Sequence, residues 1–308
     1  MPGAWRAPII NTMPGATLPA REPLGRPRRR LLLLSSSESP HLAQEAQRLL
    51  PLIAQHAEVA LVDMAAEADL SGVEFDAALV LGGDGSILRA ARQMGRCQRP
   101  VLGVNLGKLG FLADLSPDEL CSQLPKICSG ELPVVEHLMF DCTLSRDGQV
   151  VAERLGLNEV AILAGAPFAV LAVDLYVDSE LVTTYSCDGL ILSTPVGSTA
   201  HGLSAGGPIL RQDLQAFAIS PISPHTLTNR PVVDSADRVY EMVVPRPHAG
   251  TAIVVDGIVL SSKVLPCDRV RVKRSESKFQ LLAVPGHSYY RTLREKLGWG
   301  GRLQINEL

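Results

Sequence analysis

At 308 residues the chain has room for two domains of ordinary size, and an apolar share of 46% with only 4% aromatics predicts a sizeable aliphatic core. The formal net charge of −3 argues against a general nucleic-acid or membrane-surface binder, and no stretch approaches the roughly 18 uninterrupted apolar residues of a spanning helix. The six cysteines are scattered, with no Cys-x-x-Cys pair and no His pattern beside them, which excludes the usual zinc spacings and suits a reduced compartment.

Arg28-Arg29-Arg30 before Leu31–Leu34 has the basic-then-apolar order of a leader, but four leucines are too few for one. The segment reads as a first buried strand behind a Pro/Arg-rich arm, residues 1–27, expected to be disordered. The expected location is the cytoplasm. Across 28–130 two periods alternate. Strands are predicted at Arg30–Ser35, Val59–Val62, Phe75–Leu81 and Val101–Val104. Helices are predicted over His41–His56, with Ser39 as N-cap and Pro40 at the first helical position, and over Pro117–Leu124. That alternation predicts a parallel α/β sheet, with ligands at the carboxyl ends of its strands.

Past residue 130 short Val, Leu and Thr runs recur between turn signals, from Phe140–Leu144 to Arg269–Lys273 and Phe279–Ala283. They predict a β-rich domain of antiparallel hairpins over 131–285. Ser288–Leu297 has helical spacing, so 286–308 is expected to supply a terminal helix packing back on the body.

Two loops carry the chemistry. Gly82-Gly83-Asp84-Gly85-Ser86 follows a buried strand and precedes apolar residues at helical spacing, an arrangement that lets backbone N–H groups approach a phosphate. It is not a Walker loop, since no Gly-Lys-Ser/Thr follows. It holds one carboxylate, Asp84, of the kind that accepts or positions the proton of an attacking hydroxyl. On composition alone the same residues make an ordinary turn. The second stretch, Cys187 to Pro208, empties a strand into small hydroxylated residues and glycines that permit close backbone approach and offer short donors. Asn158-Glu159 reads either as a polar pair gripping a ligand or as a strand edge. The proline-paced Ile219–Leu227 reads as a stiff domain crossing.

In order, Gly82-Gly83-Asp84-Gly85, Asn105–Leu112, Asn158-Glu159, Asp188–Pro208, Ser220–Pro231 and Leu293–Trp299 together resemble the NAD kinase family. The first motif is shared with phosphofructokinases and diacylglycerol-type lipid kinases; Ser198-Thr199-Ala200 and the proline-paced segment are more specific. The resemblance implies a glycine-loop α/β domain with a parallel sheet, a β-rich NAD-binding domain, and a cleft between them. It implies Asp84 as the base for the adenosine-ribose 2′-hydroxyl, with Gly85 alongside. Asn158 and Glu159 would hold the adenylate half of NAD, Asp188 would lie near the nicotinamide, and Thr199, Ala200, His201, Gly202, Leu203 and Ser204 would line the pocket. Gly82, Gly83, Gly85 and Ser86 would hold the phosphoryl donor, ATP or polyphosphate. A divalent cation (Mg2+ or Mn2+) would ride on the donor phosphates, since the sequence has no cluster of acidic metal ligands.

The chain departs from the family pattern at Ser86 (usually Thr), His201 (usually Tyr), Ile258 (usually polar) and Ser186 (Arg in some members). These leave the reaction in place but bear on NAD affinity and on the choice between NAD and NADH. Expected partners are NAD and the phosphoryl donor, no nucleic acid or membrane, and a second copy of the chain in a dimer or tetramer. Competing readings are a lipid or sugar kinase sharing the Gly-Gly-Asp-Gly loop, and a catalytically silent dinucleotide-binding regulator.

Overall fold

A computed structural model describes residues 28–36, 40–107, 109–165, 170–226 and 228–298. The arm at 1–27, the Ser39 cap, Lys108 and Trp299 lie outside the described residues.

The first half contains β1 (Arg30–Ser35), α1 (Pro40–His56), β2 (Glu58–Asp63), β3 (Ala77–Leu81), α2 (Asp84–Met94), β4 (Val101–Val104), β5 (Ala113–Leu115) and α3 (Pro117–Ser129). The strands run parallel in the order β2-β1-β3-β4-β5. Because side chains alternate across a strand, Leu31 and Leu33 meet α1 and α3 on one face, while Leu32 and Leu34 meet α2 on the other. A strand covered on both faces is apolar at every position, which is why β1 reads as an uninterrupted run of leucines. α3 opens on a capping box between Ser116 and Glu119 and closes on Gly130 in the left-handed region, φ 76°. It outruns the predicted Leu124 end because buried Leu124 and Ile127 hold the turn around Pro125, whose nitrogen cannot donate.

The second half contains β6 (Val134–Arg146), β7 (Gln149–Gly156), β8 (Glu159–Leu163), β9 (Leu171–Val177), β10 (Glu180–Cys187) and β11 (Gly189–Ser193). A 3-10 turn (Gly197–Thr199), α4 (His201–Ser204), β12 (Ala216–Ile222), β13 (Val232–Ser235), β14 (Tyr240–Val243), β15 (Ala252–Val255), β16 (Ile258–Ser261), β17 (Arg269–Leu282) and α5 (Tyr289–Leu297) follow. Six strands form an antiparallel sheet in the order β13-β12-β11-β8-β15-β16. It packs on β6, β9, β14 and β17 through a core in which the Phe217 ring meets Phe140 edge-on at 6.4 Å and Tyr240 at 5.5 Å.

Two sequence expectations change. The predicted runs Arg269–Lys273 and Phe279–Ala283 fall on one long strand, β17, which ends at Leu282 and bends where its register with β6 shifts between Arg274 and Lys278. Its far end pairs in parallel with β4, Leu281 beside Val101, so the large sheet of eleven strands runs through both halves. The proline-paced segment begins as the buried strand β12 rather than as a crossing. Pro221 is tolerated there because β13 pairs only with Ala216–Ile219, leaving the proline nitrogen without a ladder partner.

A third apolar cluster joins Ile87, Ala90 and Ala91 of α2 to Leu157 and Val196 of the second half. This contact sets the glycine loop at the head of α2 against the start of β8 and the Ser/Thr/Gly loop.

Candidate active site

β3 ends at Leu81, two glycines turn the chain, and α2 starts on Asp84, two residues earlier than the sequence suggested. Gly82 sits at φ 131° with its amide donating to the Val104 carbonyl at 2.9 Å, and a Cβ there would collide with the Ser86 hydroxyl. Only glycine fits that backbone. The Ser86 hydroxyl is engaged with Ser36 at 2.9 Å.

The Asp84 carboxylate is held by the second glycine loop. Phe111 N–H donates to Oδ2 at 2.8 Å, while Leu112 and Ala113 N–H donate to Oδ1 at 2.9 and 3.1 Å. A carboxylate has about four lone-pair sites. Three are filled, and the open one is on Oδ2. Lys296, in the last turn of α5, places Nζ 3.7 Å from that same oxygen and 4.3 Å from the centroid of the Phe111 ring. α5 is fixed by its Ser288 cap and by the Tyr289 hydroxyl, which donates to the Leu210 carbonyl at 2.8 Å.

On the second half, Asn158 and Glu159 are buried where β7 passes into β8. Asn158 Oδ1 and Glu159 Oε2 have no hydrogen-bond partner among the described residues. Buried polar atoms left unpaired are costly, which makes Asn158 and Glu159 candidates for contact with a ligand. Asp256, in the Asp-Gly turn joining β15 to β16, accepts from the N–H groups of Leu157, Asn158 and Glu159 at 2.7, 2.8 and 3.0 Å. Burial pushes the Glu159 carboxyl up to about 8, assisted by the charge of Asp256 and opposed by a hydrogen bond from the His201 amide. Burial raises Asp256 too, against its three backbone donors and the nearby Arg92 of α2. Three backbone donors face Asp256 and one faces Glu159, so Asp256 is the better stabilised of the two as a carboxylate.

The Ser/Thr/Gly loop clasps the same turn. Thr194 donates its hydroxyl to the Leu157 carbonyl at 2.6 Å and its amide to the Asn158 carbonyl at 2.8 Å. Gly197 lies so close to the Asn158 backbone that a Cβ there would collide with it. Ser198 is internal, donating to the Pro195 carbonyl and accepting from Leu210 N–H. Thr199, Ala200 and Leu203 are half-buried, Gly202 is buried beside Ser193, and His201 and Ser204 are exposed.

The fold thus brings Asn158, Glu159 and residues 199–204 together, with Asp84 and Gly85 on the adjoining helix. It does not bring Asp188 to them. Ser193 pairs with Glu159 at one end of β11, whereas Asp188 precedes Gly189 at the other, roughly 16 Å away at strand spacing. Asp188 pairs instead with His225 at 3.1 Å. Sequence reasoning missed Asp256, Gly110 and Lys296. An Asp-Gly pair such as Asp256-Gly257 signals a hairpin turn, but the partners of Asp256 lie about a hundred residues away.

Two family models match the chain: the ATP-NAD kinase N-terminal domain over residues 35–132 and the ATP-NAD kinase C-terminal domain over residues 157–284. The chain belongs to the NAD kinase family. It is 54% identical over 284 residues to an NAD kinase of Rhodopirellula baltica, covering 92% of this chain and 91% of the relative. Its identity to an NAD kinase of Shewanella frigidimarina is 40% over 233 residues, 75% of each chain. Among solved structures, an NAD kinase from Archaeoglobus fulgidus in complex with ATP superposes with a TM-score of 0.69 at 26% identity, covering 87% of this chain and 97% of that one. Yeast NADH kinase complexed with NADH shares the fold, with a TM-score of 0.81 at 20% identity over 91% and 90% of the two chains. The NAD kinase signatures fall on the elements described above: the first model ends just past α3, and the second spans the turn at Leu157 to the end of β17.

Proposed function

We infer that this NAD kinase family member transfers the terminal phosphoryl of ATP to the 2′-hydroxyl of the adenosine ribose of NAD, giving NADP. One observation carries the reading: a catalytic-type carboxylate with one open acceptor site, Asp84 Oδ2, heads the helix that packs against a turn with unpaired polar atoms at Asn158 and Glu159.

The ribose hydroxyl donates to the open site of Asp84. Its oxygen attacks the γ-phosphorus, a P–O bond forms, and the β,γ-bridging bond breaks with its electron pair leaving on ADP. The hydroxyl proton passes to Asp84 and then to solvent. Asn158 and Glu159 hold the adenylate half, Glu159 donating its proton in a hydrogen bond, and residues 199–204 wall the dinucleotide. Gly82, Gly83, Gly85 and Ser86 face the donor, and polyphosphate is an alternative donor. Asp188 serves the nicotinamide end, consistent with its distance from Glu159.

Among the described residues no group of three His, Cys, Asp or Glu could hold a metal ion. A divalent cation therefore fits as part of the donor complex, where it neutralises phosphate charge, and no residue of the chain is assigned to it. Among the described residues no helix is long and apolar enough to cross a membrane; the cytoplasm is the proposed location. Self-association is proposed through the outer strands, where Leu181 and Val182 of β10 and Val232 and Val233 of β13 are exposed. Light scattering after size exclusion reads it, and a monomer at all concentrations would exclude it.

The deciding experiment incubates the protein with NAD, ATP and magnesium and detects NADP with an NADP-specific dehydrogenase. Absence of NADP with both ATP and polyphosphate would end the reading. Lipid or sugar-phosphate turnover in its place would favour the competing kinase classes, and NAD binding without turnover a silent regulator.

A further inference from the structure

The glycine loop contains no lysine of the Walker type, yet a transferring phosphoryl group needs positive charge close to the attacking oxygen. The described residues supply one from the far end of the chain. Lys296 Nζ stands 3.7 Å from Asp84 Oδ2, the oxygen whose lone pair is open. That separation is too long for a hydrogen bond, and among the described residues Nζ makes none. The ammonium is steered by charge on one side and by the Phe111 ring face on the other, at 4.3 Å. Its donors are therefore available to a ligand. A hydroxyl bound to the open site lies about 2.7 Å from Oδ2, so it and Nζ, 3.7 Å away, are neighbours of the same oxygen.

We propose that Lys296 is a catalytic residue whose ammonium meets the non-bridging oxygens of the phosphoryl group as it passes to the hydroxyl held by Asp84. The proposal rests on the kinase reading above. Phosphorus gains its bond to the acceptor oxygen and loses its bond to the bridging oxygen of the donor. The leaving electron pair goes to that bridging oxygen and the acceptor proton to Asp84, while Lys296 stays protonated throughout. Lysine suits this because it acts as a mobile point charge rather than a rigid fork. The helix is built to carry it: the Tyr289–Leu210 bond and the Ser288 cap fix its first turn, buried Leu293 anchors its middle, and Lys296 emerges one turn later, only 27% exposed. A cavity of 230 Å³ is lined by Tyr289 and Thr292 of α5 on one side and by Phe111 and Leu112 on the other.

The test compares Lys296→Met, Lys296→Gln and Lys296→Arg in the full chain. Turnover is measured with NAD and ATP, NAD affinity by calorimetry without donor, and folding by thermal melts. The Met and Gln variants should lose about 10²–10³-fold in kcat, the cost of removing one group aimed at transition-state charge, with NAD affinity within threefold of wild type. Lys296→Arg should recover at least a tenth of wild-type kcat. If Lys296→Met does not fold, the Gln variant carries the comparison. The proposal is overturned if charge-free variants turn over within threefold of wild type. It is also overturned if they lose NAD binding in step with kcat, because that result would make α5 a structural brace. A wild-type protein that forms no NADP fails the kinase reading itself, a result distinct from active wild type with equally active Lys296 variants.

Discussion

Asp256 and Glu159, ninety-seven positions apart, exchange two backbone-directed hydrogen bonds: Glu159 N–H donates to the Asp256 carboxylate at 3.0 Å, and Asp256 N–H donates to the Glu159 carbonyl at 3.0 Å. One acidic side chain thereby fixes the backbone of the turn that carries the other. With Leu157 and Asn158 N–H also pointing at it, Asp256 serves as the acceptor around which the turn at Leu157–Glu159 is folded.

Asp256→Asn tests that role. An amide presents an N–H to donors on at least one side, so the turn loses part of its acceptor and a buried clash of donors appears. A loss of about 2 kcal/mol in unfolding free energy is expected, with a raised KM for NAD and a smaller change in kcat. Urea titration and steady-state kinetics measure both; unchanged stability would mean that the turn holds without it.

Glu159 predicts a pH dependence of stability. Its carboxyl ionises near 8 in the fold against an ordinary 4.5, so between those values the native state keeps a proton that the unfolded chain has released. Stability should therefore fall as pH rises through this window and level off above it. Glu159→Gln, permanently neutral, should flatten the profile and gain on wild type by on the order of 3 kcal/mol between pH 5 and pH 8. Parallel denaturation curves for the two proteins at every pH would contradict the assignment.

Asp84→Asn keeps the size of the side chain and removes its ability to take a proton. Turnover should drop by about 10²–10⁴-fold, with NAD affinity by calorimetry largely retained. Full activity in that variant would remove Asp84 from the chemistry.

Gly110 offers a test that leaves Asp84 in the sequence. A Cβ at Gly110 would collide with Asp84 Oδ1 and lie 2.7 Å from the Ala113 carbonyl. Gly110→Ala should displace the carboxylate and cost about 1–3 kcal/mol of stability, while lowering kcat far more than the small stability loss explains. A fully active, equally stable variant would show that the loop yields without moving Asp84.

His201 is exposed, and its backbone amide donates to Glu159. His201→Tyr should therefore leave the site's internal bonds intact and tighten NAD by adding aromatic area. Unchanged affinity in calorimetry would show that the ring does not stack on the ligand.

The sequence by itself determined the local chemistry. The leucines of β1, the Gly-Gly-Asp-Gly turn into α2, the Ser198-Thr199-Ala200 run and the Asn158-Glu159 pair are legible because periodicity, glycine and short hydroxyls act over a few residues. Tertiary structure alone decided what these groups face. β15 pairs with β8, Val255 beside Val160, and that register delivers Asp256 to the turn at Asn158. The packing of α5 delivers Lys296 to Asp84, and the bend in β17 lets one strand serve both halves of the sheet. Each depends on long-range pairing, where side-chain charge and lone pairs are matched across elements rather than along the chain. So the chain announces a carboxylate set among glycines, but which of its oxygens stays open, and which cation stands beside it, is written only in the fold.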